Sequence, residues 1–220
     1  MPPIDVILLS HAHFDHLDRP TLARLPKHST IVTSEHNTDL VRDLGFARVH
    51  ELRWGESLQI NRLTVRAQRV AHWGARTVYD RQRGYTGFVL DAASDANQPN
   101  MPARRVLYGA DSAYQRHFQS VGPVDLAVIG IGAYDPWIES HANPEQAWQM
   151  CLDAQAKRVL AMHHSTFELS REPVDEPLQR FLAAAGARAN DVVIQHVGQQ
   201  WSLPALAAPS YDASHATAAR

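Results

Sequence analysis

Cysteine is almost missing from this chain: Cys151 stands alone among 220 residues. A single thiol excludes an intrachain disulfide and fits a reducing compartment. No apolar run approaches the roughly 20 residues that a membrane helix needs. The N-terminus has no cationic stretch followed by an apolar one, so no secretory leader is expected. Excess positive charge is missing too. Lys and Arg number 21 against 23 Asp and Glu, the formal net charge is −2, and no basic stripe runs through the sequence. A nucleic-acid partner is therefore not expected. No internal repeat is present. These absences leave a cytoplasmic, core-stabilised protein as the expectation.

What is present supports a folded domain. Hydrophobic residues make up 45% of the chain, enough for a sizeable core. The length suits one domain, residues 1–202, followed by a tail, 203–220, rich in Ala, Ser and Pro and expected to be disordered. Histidine is abundant, 13 in all, and several stand at the ends of apolar runs. The densest group is His11-Ala12-His13-Phe14-Asp15-His16. It directly follows Ile4-Asp5-Val6-Ile7-Leu8-Leu9, a short, nearly apolar run that reads as a buried strand. Four potential metal ligands thus fall on a loop at a strand's C-terminal end, where alternate side chains can converge on one point. Their chemistry, imidazole nitrogen and carboxylate oxygen, is that of a zinc site.

The rest of the chain alternates short strands with helices, as a layered α/β protein requires. Asp18 is placed to cap a short helix from Arg19 to Leu25, with Pro20 in its first turn. Thr30–Thr33 reads as a strand, and Thr38–Leu44 as a helix closed by Gly45. Val49–Leu52 is a further strand. Trp54-Gly55-Glu56 marks a turn, and Leu58–Arg69 reads as a hairpin around Asn61-Arg62. The long loop from Gly74 to Gly84, rich in Arg, Tyr and Asp, is placed to overhang a site. Strands are expected at Thr86–Asp91, Arg105–Tyr108, Leu126–Ile131, Val159–Met162 and Asp191–Gln195. Between the first two of these, Ala93–Ala103 reads as a polar surface insertion. Asn143-Pro144 starts a helix running to about Ala156, whose Ala147, Met150, Cys151 and Ala154 have the spacing of a core face. A last helix covers Val174–Ala185. Asp5, Asp18 and Asp125 read as structural carboxylates.

His-x-His-x-Asp-His after a hydrophobic strand resembles the metal-binding motif of the metallo-β-lactamase superfamily. A second series narrows the likeness: Gly130-Ile131-Gly132-Ala133-Tyr134-Asp135-Pro136-Trp137, then His141-Ala142-Asn143-Pro144-Glu145-Gln146-Ala147, then Ala161-Met162-His163-His164-Ser165-Thr166-Phe167. It resembles the branch of N-acylphosphatidylethanolamine-hydrolysing phospholipase D and, more distantly, that of ascorbate-6-phosphate lactonase. The resemblance runs from about Pro3 to Trp201. It implies an αββα sandwich, α/β (α+β) in class. It also carries a departure: the motif normally follows several N-terminal strands, whereas here it begins almost at Met1. The expectation is a shortened form lacking some strands of the first sheet, with an exposed edge open to a second copy of the chain.

The resemblance also implies the roles of individual residues. His11, His13 and His72 would hold one metal, Asp15, His16 and His163 the other, and Asp111 would bridge them. Read without it, a lone His at a strand end is a polar loop residue, and Asp111 is a plain helix N-cap. Two Zn2+ per chain are expected, with Fe or Mn able to replace them. A hydroxide shared by the metals would be the nucleophile, so Cys151 and the serines need no catalytic part. Asp15 and His141 are the catalytic candidates beside the metals, with His141 placed to bind phosphoryl oxygens or protonate a leaving group. Tyr134 and His141 are the substrate-binding candidates, and Trp73 and Trp137 line either an entrance or the core. His164 and His196 are weaker candidates. The reaction expected is hydrolysis of a phosphodiester, with a phospholipid as substrate and a membrane surface as a peripheral contact. Lactone or ester hydrolysis on the same ligands, and an inactive metal-binding fragment, are the alternatives.

Overall fold

The computed structural model of the chain describes residues 3–94 and 102–203. Residues 204–220 of the expected tail, and 95–101 of the expected insertion, lie outside the described residues. The first strand, β1, is Val6–Leu9. Asp18 then caps α1, Arg19–Arg24, its carboxylate accepting from the Thr21 amide. β2 is Thr30–Ser34 and β3 is Arg48–Leu52. These three strands form one parallel sheet in the order β1-β2-β3. Every residue of β2 is buried, as a parallel strand covered on both faces requires. Its alternate side chains serve two cores. Ile31 packs with Leu22 and Leu17 on the α1 side, and Val32 packs with Val65 and Phe88 between the sheets.

The second sheet has six strands in sequential order. β4, Ser57–Ile60, and β5, Leu63–Gln68, form the expected hairpin, with Asn61 in the left-handed region at φ 52°. β6, Gly87–Ala92, continues antiparallel to β5 and to β7, Arg104–Tyr108. β8, Leu126–Gly130, and β9, Arg158–Met162, then add in parallel. The crossover between them is α2, Pro144–Asp153, which opens with a full capping box between Asn143 and Gln146. α3, Glu176–Ala185, packs beside α2, with Trp148 against Phe181 at 5.5 Å. The layers are therefore helix, three-stranded sheet, six-stranded sheet, helices, which is the expected sandwich.

Three local expectations differ from the structure. Residues 38–44 are not one helix but two 3₁₀ turns, Thr38–Leu40 and Arg42–Leu44, parted at Val41, whose side chain is fully buried. The stretch is too short to repay α-helix nucleation, and Gly45 (φ 80°) closes it as expected. α2 ends at Asp153, where Gln155 turns left-handed at φ 49°. Asp191–Gln195 does not form a strand. Only Val192 bridges β9, and the segment before it, Gly186–Asp191, is a 3₁₀ helix. Among the described residues no helix is long and apolar enough to cross a membrane.

Candidate metal centre

The parallel strands all point their C-terminal ends the same way, and loops leaving that end meet at one place, as ligand sites of α/β sheets do. His11, His13, Asp15 and His16 follow β1, Asp111 follows β7, and His163 follows β9. His72 lies four residues beyond β5, and His141 lies between β8 and α2. Backbone bonds mesh these loops. Ala113 N donates to Ala71 O, Ala142 N to Ser112 O, and the Ala71 amide to Ser112 Oγ. Gly132 belongs to the same mesh: a Cβ there would stand 2.2 Å from the His163 carbonyl oxygen, so only glycine lets the two loops touch. Left-handed backbone at Ala110 (φ 49°), Ala133 (φ 64°) and His163 (φ 60°) marks strain held at the site.

The seven expected ligands fall into two groups that share Asp111. One is His11, His13, His72 and Asp111, and the other is Asp15, His16, Asp111 and His163. Within each group the ligand atoms lie within 4.8 Å of one another. In the first group His11 Nε2 is 2.9 Å from His13 Nδ1, which is 3.3 Å from His72 Nε2. His72 Nδ1 donates to the Ser140 carbonyl at 3.0 Å, so the neutral ring turns the lone pair of Nε2 inward. His11 Nδ1 has Ser10 Oγ at 2.9 Å, which orients that ring in the same way. Three ring nitrogens thus crowd one point, an arrangement that a cation relieves.

Asp111 Oδ2 is the centre of the whole. It lies 3.0 Å from His16 Nε2, 3.5 Å from His163 Nε2, 3.8 Å from His11 Nε2, 3.9 Å from His72 Nε2 and 4.0 Å from His141 Nδ1. Its second oxygen, Oδ1, is buried without a protein partner. A carboxylate that is 2% exposed, surrounded by imidazoles and left with a free oxygen, fits a bridging metal ligand. Asp15 Oδ2 reaches His163 Nε2 at 3.2 Å and His16 Nε2 at 3.3 Å.

The electrostatics separate the two groups. Burial lowers His11, His13 and His72, the last to about 3, so these rings are neutral. Burial also works against charge on His16, but its bonds to Asp111 and Asp15 outweigh this and raise it to about 10. His163 is raised in the same way by Asp15. Burial pushes Asp111 and Asp15 upward, yet His16 and its neighbours hold both far below the usual carboxylate range. This half of the site therefore calls for positive charge.

A cleft of about 210 Å³ opens over the ligands, lined by His13, Asp15, Asp111, His141 and His163 and walled by Trp73 and Trp137. His141 stacks on His163 at 5.4 Å and meets His72 edge-on at 5.0 Å. Trp73, 53% exposed, packs on His13, and Trp137 is 57% exposed, so both are entrance residues and not core. Tyr134 is not brought into the cleft. It is buried, its hydroxyl donates to Glu176 and accepts from Arg180, and the neighbouring Ala133 lines the cleft in its place. His164 and His196 border a second cavity on the α3 side, which shares His163 with the cleft and where His164 Nδ1 meets Ser165 Oγ. Cys151 is buried in α2, and burial pushes its thiol up, as suits a packed, inert side chain. Asp18 and Asp125 have structural partners, Asp125 with the Arg105 amide and Lys157.

Sequence reasoning missed the groups that orient the rings of His11 and His72: Ser10 and Ser140. Ser10 had a signal, standing directly before the motif, whereas Ser140 acts through its backbone carbonyl, which any residue could supply.

The sequence and the fold have counterparts in known proteins. The model of the beta-lactamase superfamily domain matches residues 1–164. An uncharacterised protein of Mycobacterium tuberculosis is 29% identical over 91% of this chain and 55% of its own length. An N-acyl-phosphatidylethanolamine-hydrolyzing phospholipase D of Caenorhabditis elegans is 25% identical over 91% of this chain and 61% of its own. The chain thus spans little more than half the length of these relatives. Among solved structures, a possible metal-dependent hydrolase of Veillonella parvula superposes with a TM-score of 0.66 at 16% identity, over 88% of this chain and 74% of that one. CmlA, a diiron β-hydroxylase of Streptomyces venezuelae, gives 0.64 at 21% identity, over 87% and 43%.

Proposed function

Because this chain belongs to the beta-lactamase superfamily, we propose that it is a dinuclear metal-dependent hydrolase of phosphodiesters. The observation that carries the reading is the pair of His/Asp groups sharing the buried Asp111 carboxylate. His11, His13, His72 and Asp111 would hold one metal, and Asp15, His16, His163 and Asp111 the second. Zinc is the metal we propose, and imidazole with carboxylate also accepts iron or manganese. Two divalent cations in such a site lower the pKa of a bound water and neutralise charge on a phosphoryl group. Similarity to the diiron enzyme makes iron the first alternative to test.

The chain's own residues supply positioning. His141 faces the cleft beside Asp111 and His163, where it donates a hydrogen bond to a phosphoryl oxygen or a proton to the leaving group. Asp15, partly exposed at the cleft, orients the attacking water. Trp73, Trp137 and Leu169 line the opening with exposed apolar surface, and Phe14 is exposed between two cleft residues in sequence. An amphiphilic phosphodiester suits such an opening, and the similarity to the phospholipase D supports an N-acylated phosphatidylethanolamine as the substrate. Contact with a membrane surface is part of this proposal.

The test is turnover of a bis-aryl phosphate and of a simple lactone by protein loaded with zinc, manganese or iron. Hydrolysis of the phosphate alone is the expected result. Lactone hydrolysis without phosphate turnover moves the reading to the lactonase type, and no turnover of either with both metals bound makes the chain a metal-binding fragment. His141→Ala at full metal content should lower phosphodiester turnover about a hundredfold, and an unchanged rate removes His141 from the chemistry.

A further inference from the structure

The loop after His72 sends one side chain back across the turn that carries four ligands. Arg76 Nη1 donates to the carbonyl of Ala12 at 2.8 Å and to that of Leu17 at 2.9 Å. Its guanidinium also lies over the ring of Phe14 at 4.0 Å. Ala12 and Leu17 bracket three of these ligands, His13, Asp15 and His16, in a turn whose Leu17 and His16 amides bond to the His13 carbonyl. Without Arg76 the two bracketing carbonyls would need water, and the turn would keep only its internal bonds to the His13 carbonyl. Leu17 is fully buried and anchors one side. On the other side Trp73, from the same loop as Arg76, packs on His13 at 4.5 Å.

We propose that Arg76 is the positioning residue of the metal centre, fixing the His11–His16 turn against the strand-end loop that presents His72. The proposal rests on the metal reading above. One guanidinium nitrogen spans two carbonyls while the planar face covers Phe14, a combination that a lysine ammonium does not reproduce. The other end of the same loop makes a useful control. Arg83 bonds Asp39, Asp80 and the His36 carbonyl, and so holds the loop to the first sheet without touching the ligand turn.

Cobalt(II) is the probe. The full chain, stripped of metal, is titrated with cobalt(II) against a competing chelator while the visible absorption of the bound ion is followed. Arg76→Ala should bind cobalt about tenfold or more weakly than wild type, with an altered spectrum, as residues that orient ligands do. Arg76→Lys should fall between the two, and Arg83→Ala should keep the wild-type affinity and spectrum. Equal losses in Arg76→Ala and Arg83→Ala would mean that both merely order the loop, and would overturn the proposal. If Arg76→Ala does not fold by circular dichroism, Arg76→Lys decides: wild-type affinity and spectrum overturn the proposal, and a loss supports it. A wild-type chain that takes up no cobalt overturns the metal reading and this inference with it. Cobalt binding unchanged in Arg76→Ala overturns this inference alone.

Discussion

Replacing Asp111 by asparagine would keep its volume and remove its charge. The carboxylate oxygen lies within about a hydrogen bond's reach of His16 and within 4.0 Å of four further imidazoles. It is the one ligand common to both groups, so its loss cannot be local. We expect Asp111→Asn to fold with a wild-type circular dichroism spectrum and to retain less than one metal per chain, against about two in wild type. Elemental analysis of chelator-free protein measures both. Two metals retained in the mutant would show that the groups do not share this bridge. The readability of these residues follows their spacing. His11 to His16 stand out because six consecutive residues hold four ligands. His72, Asp111 and His163 are single residues at strand ends, and only the resemblance to a known motif series raised them above polar loop residues. Arg76 had no signal, because its contacts are with backbone carbonyls some 60 positions away.

At the scale of elements, the chemistry that sets a boundary locally was readable. Asp18 and Asn143 both cap the helices they precede, each with a proline in the first turn. Asn143→Ala removes the capping box that starts α2 just beyond His141. It should cost about 1 kcal/mol, read as a lower denaturant midpoint at unchanged slope. A change in slope would mean that more than a cap was lost. What the sequence did not disclose was set by neighbours. The segment after α3 lacks a partner strand beyond one bridge to β9, so residues with strand propensity remain without a ladder. The loop from Gly74 to Gly84 is long and arginine-rich, but the reach of Arg76 and Arg83 to residues that follow β1 and β2 is tertiary. Within the loop, Asp80 bonds locally, to residues three positions away on either side. Burial would raise its carboxyl, but bonds from Arg83 and the Thr77 amide hold it down at about 2. A carboxylate depressed below its unfolded value stabilises the fold at pH above about 4, and that contribution is lost as pH falls toward about 2. Asp80→Asn should therefore lower the melting temperature at pH 7, and the gap to wild type should narrow as pH drops from 4 to 3. A gap that stays constant over that range would show that the charge of Asp80 does not stabilise the loop.

At the scale of the molecule, the seven ligands divide between two sheets, and each of the two groups draws on both. His11, His13, Asp15 and His16 leave the three-stranded sheet, whereas His72, Asp111 and His163 leave the six-stranded one. The layer architecture was legible from alternating strands and helices, but this division of ligands between layers was not, since it depends on which strands pair. A metal pair held at this place would cross-link the layers at one end of the sandwich. The smaller sheet relies on it more. Its outer core is a handful of residues around Ile31 and Leu22, while the larger sheet packs under α2 and α3 with many more. A ligand that binds only the native state adds about 4 kcal/mol at a thousandfold excess over its dissociation constant. For a chain of this length that corresponds to a rise in melting temperature on the order of 10 °C. Stripping metal should therefore lower the melting temperature, and it should do so unevenly. Native-state hydrogen exchange should speed up in β1, β2 and β3 before β6, β7 and β8, because local opening starts where the fewest contacts remain. Uniform acceleration across both sheets would mean that the layers open together and that the metals do not hold one to the other. No acceleration, with an unchanged melting temperature, would mean that the ligand loops are fully formed by their own backbone mesh, and the metals would then contribute chemistry alone.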